Sequence, residues 1–406
     1  MTERAGFVHN QVKAFGASRP PIEKLWEQTG FSPNLAQREA ILHADGPLYL
    51  TAGPGSGKTR VLLWRTLNLI VYHGIQPEQI FLSTFTEKAA LQLADGLRAL
   101  LGMVTNLTGQ PFDLSQMYIG TVHSLCRRIL LDRRRFSEDR YRQRAPVLLD
   151  DLGQYFHLYE ANNWEAMTSF AGLEPESAAA TINKLFEDKD SPSRHRAVEN
   201  LRPLFNRLSE EMLDAGQARN RLRDLKWNSR FTSDDVDLLL RLYEGYLSTL
   251  RASRRTDFAL LQREAFEVLQ RFAGAGRVFR HVIVDEYQDT NYVQEQLFFR
   301  LAGETGNICV VGDDDQALDR FRGATVENFV QFPTRCQAYL GRMPRQISLN
   351  INYRSRRRIV DFYTRFMKGM RWESDDRTIT YRVAKDIQPH RQDAQPAVVD
   401  SPAAEP

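Results

Sequence analysis

The sequence predicts an α/β fold: a parallel sheet with helices on both faces, interrupted by a mainly helical insertion. Three observations carry that expectation. Short apolar runs alternate with stretches of helical apolar spacing, the pattern of a parallel sheet. The runs end in polar signatures, at Thr84, Thr121, Asp285 and Gln316, where open α/β sheets place their ligands. Pro47 to Val71, PLYLTAGPGSGKTRVLLWRTLNLIV, reads strand, tight turn, helix.

In chain order, residues 1–30 read as a polar arm with Pro20 and Pro21, leading into a short helix, IEKLWEQTG. Asn34 to His43 reads as a helix; Gln37 on it would by itself be a surface residue. Leu48 to Leu50 is the first core strand. The helix after its turn has apolar residues at Val61, Leu62, Trp64 and Leu67 to Leu69. Ile80 to Thr86 is the next strand, followed by a helix expected to close at Gly102. Met117 to Leu125 is a strand ending in Thr121 and His123. Residues 126–255 change character to helical, and Thr256 to Phe272 is amphipathic. Strands then return at Val278 to Glu286, Asn307 to Gln316 and Ile347 to Ser355, with a helix over Asn291 to Leu301. Thr378 to Asp386 is a further candidate strand. Residues 387–406, rich in Pro, Ala, Gln and Asp, read as a disordered tail.

A chain of 406 residues can bury a substantial core in two or more structural units. With 42% hydrophobic and 26% charged residues it has a globular composition. No apolar run reaches the length of a membrane span, and the N-terminus has no apolar signal region. Cys126, Cys309 and Cys336 lie far apart without metal spacing, so a reducing cytoplasm is the simplest setting. The net charge of +3 gives no global basic field. Local arginines are denser: Arg127, Arg128, Arg133, Arg134, Arg135, Arg140, Arg142 and Arg144 crowd one segment, and Arg354, Arg356, Arg357 and Arg358 another. Each cluster is either a solvated helix face or a phosphate-tracking surface.

Ala52, Gly53, Pro54, Gly55, Ser56, Gly57, Lys58 and Thr59 fit the phosphate-binding P-loop, with Ala52 in place of its first glycine. Glycines let backbone N–H groups crowd around phosphate oxygens, and the helix N-terminus adds its positive end. Lys58 would reach the β- and γ-phosphates and Thr59 would bind Mg²⁺. Asp285, ending a buried strand, can hold the same ion, and Glu286 beside it can orient and deprotonate water. Two adjacent carboxylates without partners are costly to bury, which favours an ion or a catalytic role over packing. Arg322 and Arg354 are candidate donors to the γ-phosphate, and Gln316 is placed to position phosphate and water. Thr84, Phe85 and Thr86 share one strand-end loop, and Thr121 and His123 another. Hydroxyls and histidine can bind phosphate oxygens, and Phe85 can stack on a base. The competing assignment makes Phe85 core and His123 a satisfied interior histidine.

The ordered series NLAQREAI, AGPGSGKTR, STFTEKAA, GTVHSL, VDEYQDTN, VVGDDDQALDRFRGA and NYRS resembles the UvrD/Rep/PcrA-type helicases of superfamily 1, over roughly residues 30–365. That resemblance implies a RecA-like P-loop NTPase sheet that uses ATP and Mg²⁺ to move on single-stranded DNA, typically 3′ to 5′. It also implies that Gln37 reads the adenine edge, Tyr353 stacks on the base and Arg60 lies beside the nucleotide. Thr84, Phe85, Thr121, His123 and Phe321 would line the DNA path. The insertion resembles the family's accessory subdomain, which contacts duplex DNA and hence single-strand/duplex junctions.

The expected organisation is an N-terminal arm at 1–30, a motor domain over 31–125 and 256–365, and a helical insertion at 126–255. A partial second motor domain at 366–386 and a tail at 387–406 follow. Asp319 stands where the family usually has a DNA-stacking Tyr, and Val122 where it has Phe. The later motifs of the second motor domain, including a TRA-like run, are not found. Three readings follow: a helicase ATPase half that needs a second domain or partner chain, an ATP- and DNA-binding regulatory protein with little hydrolysis of its own, or an unrelated P-loop ATPase, which the motif series disfavours.

Overall fold

A computed structural model of the chain describes residues 19–132, 146–187, 191–213, 216, 231–272, 274–317, 326–373 and 382–393. Its centre is a six-stranded sheet of β1 (Leu48–Ala52), β2 (Ile80–Thr84), β3 (Tyr118–Thr121), β6 (His281–Val284), β7 (Ile308–Gly312) and β8 (Arg345–Leu349), in the order β3-β2-β6-β7-β1-β8. Every neighbouring pair is parallel. Two further strands, β4 (Val147–Leu149) and β5 (Arg255–Asp257), pair apart from it.

The near-continuous apolar strands follow from burial on both faces. Alternate residues point to opposite faces. Tyr49, Phe81, Val282 and Val310 join one core, while Leu48, Leu50, Leu82, Ile283 and Val311 join the other. The second core also takes the helix Ile22–Thr29, whose Trp26 meets Trp64 edge-on at 6.4 Å. This part of the expected arm is therefore packed against the sheet. Residues 1–18 lie outside the described residues.

The insertion is helical, with Asp151–Tyr159, Ala161–Phe170, Pro175–Glu187, Arg194–Glu210 and Ser233–Ala252. It has its own core, in which Trp164, Leu201, Phe205, Tyr243 and Tyr246 are buried. These helices are flanked by β4 and β5, paired in parallel with Val147 opposite Arg255 and Leu149 opposite Asp257, while Cys126, Ile129 and Leu130, at the start of the expected insertion, pack in the sheet core. The Asp257 carboxylate accepts Tyr246 Oη–H at 2.6 Å and caps the next helix at Leu260 N, 2.7 Å away.

Three details differ from the sequence expectation. The helix after β2 runs from Glu87 to Thr108, through Gly102, and stops at Gly109, whose φ of +72° suits glycine. A single interior glycine costs only about 1 kcal/mol, too little to end a well-packed helix. The expected strand at Ile347 to Ser355 is two strands: β8 completes the large sheet, and β9 (Ile351–Arg356) turns away after Asn350. The third lies in the expected tail, where Gln388–Arg391 forms β10, parallel to β9. Of the candidate strand at Thr378 to Asp386, residues 378–381 lie outside the described residues and 382–386 are not a strand. Among the described residues no helix is long and apolar enough to cross a membrane.

Candidate active site

The loop after β1 turns on glycine. Gly55 and Gly57 have φ of +67° and +84°, a region in which other residues are strained. A Cβ on Gly55 would stand 2.7 Å from Arg354 Cβ, and one on Gly57 would stand 3.2 Å from Gln37 Nε2. Ala52 ends β1 and Gly53 lies against Ile387. Pro54 is half-buried at the bend, and Ser56 is buried with an Oγ that has no partner among the described residues. Lys58 and Thr59 open the helix Lys58–Val71. This cradle of backbone donors with an unpaired buried hydroxyl fits a polyphosphate.

Asp285 is buried at the end of β6, and its Oδ1 accepts Glu286 N–H at 3.0 Å. Burial and neighbouring Glu286 push its carboxyl up to about 7, with Lys58 opposing. Glu286 holds φ of +52°, a left-handed conformation that is unusual away from glycine and common at functional sites. It swings its carboxylate to Lys58, Nζ to Oε2 2.9 Å. Gln288 Nε2 donates to the same Oε2 at 2.9 Å, and Gln288 Oε1 accepts Asp313 N–H at 3.0 Å. Gln316 Nε2 donates to Asp313 Oδ2. A continuous chain therefore runs Lys58, Glu286, Gln288, Asp313, Gln316. Sequence alone does not mark Gln288 and Asp313 as links. DEYQDT and GDDDQ show polar residues at strand ends, but only the fold turns them toward each other.

Thr59, in the first turn of the helix after β1, and Asp285, just after β6, lie at the same C-terminal edge of the parallel sheet, and each could offer a side-chain oxygen. Among the described residues no group of three or more His, Cys, Asp or Glu is arranged for a metal. Two protein oxygens suit Mg²⁺, which keeps waters and takes substrate phosphate.

Gln37 is buried and satisfied from two sides. It closes a capping box with Asn34, and its Nε2 donates to Ser56 O at 3.0 Å. Asn34 Nδ2 donates to Tyr353 Oη at 2.9 Å, and Tyr353 N–H donates to Gly55 O at 2.9 Å. Arg60 lies over the Phe31 ring at 5.2 Å. Arg354 stands at the exposed end of the same cluster, its N–H held by Asn352 Oδ1 at 2.9 Å. Arg322, Phe321 and Asp319 lie outside the described residues.

The DNA candidates divide. Phe85 is half-exposed and Thr86 exposed, whereas Thr84 is buried and its hydroxyl has no partner among the described residues. Thr86 and Thr121 cap the helices that follow them. His123 sits in the first turn of the helix Val122–Leu131, not in a strand. It hydrogen-bonds Gln262 Nε2 at 3.0 Å and meets Phe258 edge-on, and burial holds its pKa down to about 4. An open groove of about 840 Å³ runs past Thr121, His123, Ser124, Arg127, Arg128 and Phe258.

The family model for the UvrD/REP helicase N-terminal domain matches residues 33–337. The chain is 32% identical to the ATP-dependent DNA helicase UvrD1 of Mycobacterium tuberculosis over 357 residues, 84% of this chain and 40% of that protein. It is 30% identical to the ATP-dependent DNA helicase PcrA of Bacillus subtilis, covering 80% of this chain and 38% of that one. It is also 30% identical to DNA helicase II of Haemophilus influenzae, covering 81% and 39%. The chain thus spans about 40% of the length of these relatives. Together with the parallel sheet and the glycine-rich cradle, the match establishes that this chain belongs to the UvrD/REP helicase family and carries its N-terminal domain.

Proposed function

We propose that the chain hydrolyses ATP with Mg²⁺ and couples this to binding and movement on single-stranded DNA, 3′ to 5′. The observation that carries the reading is the Lys58–Glu286 ion pair, which joins the phosphate loop to the strand end with the buried carboxylate. Mg²⁺·ATP, when bound, would supply the phosphoryl group and the electrophilic charge. Thr59 and Asp285 would hold the ion. Lys58 would leave Glu286 for phosphate oxygens, freeing Glu286 Oε2 to take a proton from water. Gln316 would orient that water, and Arg354, with Arg322, would meet charge developing on the phosphoryl oxygens. Gln37, Arg60 and Tyr353 would surround the base and sugar.

Phe85 and Thr86, with the groove past Thr121 and Arg127, would take the single strand, and the insertion would meet the junction with duplex. Unwinding would need a second motor domain, in cis or from a partner chain. A second reading, ATP and DNA binding with slow turnover, is favoured by Ile387. It lies on Gly53, where a nucleotide would approach. Steady-state ATP hydrolysis by the chain, with and without single-stranded DNA, separates the two. Strong stimulation by DNA supports the motor, while binding of both ligands without turnover supports the second reading.

A further inference from the structure

The acids at the end of β7 are held by a distant lysine. Lys385 is fully buried, and its Nζ lies 2.5 Å from Asp313 Oδ1, 2.6 Å from Asp314 Oδ1 and 3.1 Å from Asp315 Oδ2. Three adjacent carboxylates in one interior site would repel one another and lose hydration; a shared ammonium offsets both costs. Neighbouring groups complete the clamp. Arg382 Nε reaches Asp315 Oδ1 at 2.6 Å, Tyr363 Oη–H donates to Asp315, and Val383 N–H donates to Asp314 Oδ2 at 2.7 Å. Burial alone would lower the Lys385 ammonium, but Asp313, Asp314 and Asp315 outweigh it and keep it raised and charged.

Asp313 is the branch point. One carboxylate oxygen takes Lys385 and the other takes Gln316 Nε2. Its backbone N–H goes to Gln288, which holds the Glu286 oxygen that Lys58 touches. The segment bearing Lys385 also reaches the phosphate loop, through Ile387 on Gly53, and Tyr353 through His390, with ring centroids 4.8 Å apart.

We propose that Lys385 is a positioning residue for hydrolysis: by fixing Asp313 it sets the Gln316 side chain, and so ties water orientation to the docking of residues 382–390. The activity arm rests on the ATPase reading above; the exchange arm does not. The test uses the full chain with Lys385→Met, Lys385→Arg, Gln316→Ala and the double variant K385M/Q316A. The expected result for Lys385→Met is a fall in kcat of tenfold or more with KM for ATP within threefold. Arg should restore part of the rate, and the double variant should be no slower than Gln316→Ala alone. Additive losses, or turnover per folded molecule unchanged in Lys385→Met, would overturn the proposal.

Hydrogen exchange over residues 312–317 gives the second arm. Tenfold faster exchange there in Lys385→Met, with the rest of the sheet protected as before, supports the clamp; unchanged or uniformly faster exchange overturns it. A wild-type chain without turnover sinks the ATPase reading and leaves the exchange arm to decide the role of Lys385. If Lys385→Met does not fold, K385M/D314N, with one fewer unpaired carboxylate, takes its place.

Discussion

Lys58 Nζ and Glu286 Oε2 stand 2.9 Å apart, so the glycine-rich loop and the end of β6 share one ion pair. The pair predicts two different failures. Lys58→Ala should abolish hydrolysis and weaken ATP binding, because it removes the phosphate-seeking cation. Glu286→Gln keeps the shape and an acceptor for Lys58 but is a far weaker base. ATP affinity should stay within about threefold while turnover drops by about a hundredfold or more, the usual weight of a positioned base. Titration with a fluorescent ATP analogue beside a phosphate-release assay checks both; equal turnover in Glu286→Gln would remove its role as base.

Gly55→Ala should injure the cradle in two ways. The left-handed backbone there costs a non-glycine residue about 1–2 kcal/mol, and the new methyl group would meet Arg354 Cβ at 2.7 Å. Gly74→Ala is the control, since Gly74 has φ of +66° with open space around it. Thermal melts should show loss in both variants, and ATP affinity should fall tenfold or more in Gly55→Ala alone. Matched affinities would mean that Arg354 does not crowd the loop.

Acid should act through His281. Burial, then Arg65, Arg280 and His73, hold its pKa down to about 3. The unfolded chain binds that proton near the ordinary value of about 6.5. Between those values the unfolded state carries more protons, so this stability component is full above about 6.5 and drains as pH falls toward 3. His281→Asn lacks it. The stability of wild type relative to the variant should therefore decline below pH 6.5, by up to about 1.4 kcal/mol per pH unit. Urea melts at pH 7, 6 and 5 measure the gap; a constant gap would show that His281 does not titrate in this way.

DNA binding should be steeply salt-dependent if the groove past Arg127 and Arg128 tracks phosphate. Phe85→Ala should cost about 1–3 kcal/mol if a base stacks on the half-exposed ring. Anisotropy of a labelled single strand across a salt series tests both. A flat salt response argues against the groove, and unchanged affinity in Phe85→Ala returns that ring to a packing role.

Much of this site was legible because its signals are local. The P-loop needs glycine where φ is positive, and a strand that ends in Asp285 announces itself by its apolar run. What stayed hidden depends on partners distant in sequence. Gln37 reads as a surface residue, yet the fold brings Ser56 and Asn34 to it and buries it. His123 reads from sequence as either a DNA contact or an interior histidine; the fold gives it a hydrogen bond to Gln262 and a ring contact with Phe258 and also leaves it on the wall of the groove. Lys385 has no local mark at all, because its meaning lies in three carboxylates some seventy residues earlier. Gln388–Arg391 lacks apolar alternation because it lies on a small, largely exposed sheet whose strand is held by backbone hydrogen bonds.

The pairing of β4 with β5 brings the two ends of the helical run between them side by side. Most of the loop-closure entropy is met there, at a three-residue register, and further length between the ends costs little. The helices in between can thus be lengthened, shortened or exchanged by recombination as a cassette. Selection could reshape these helices while the six strands around Lys58 and Asp285 keep their register.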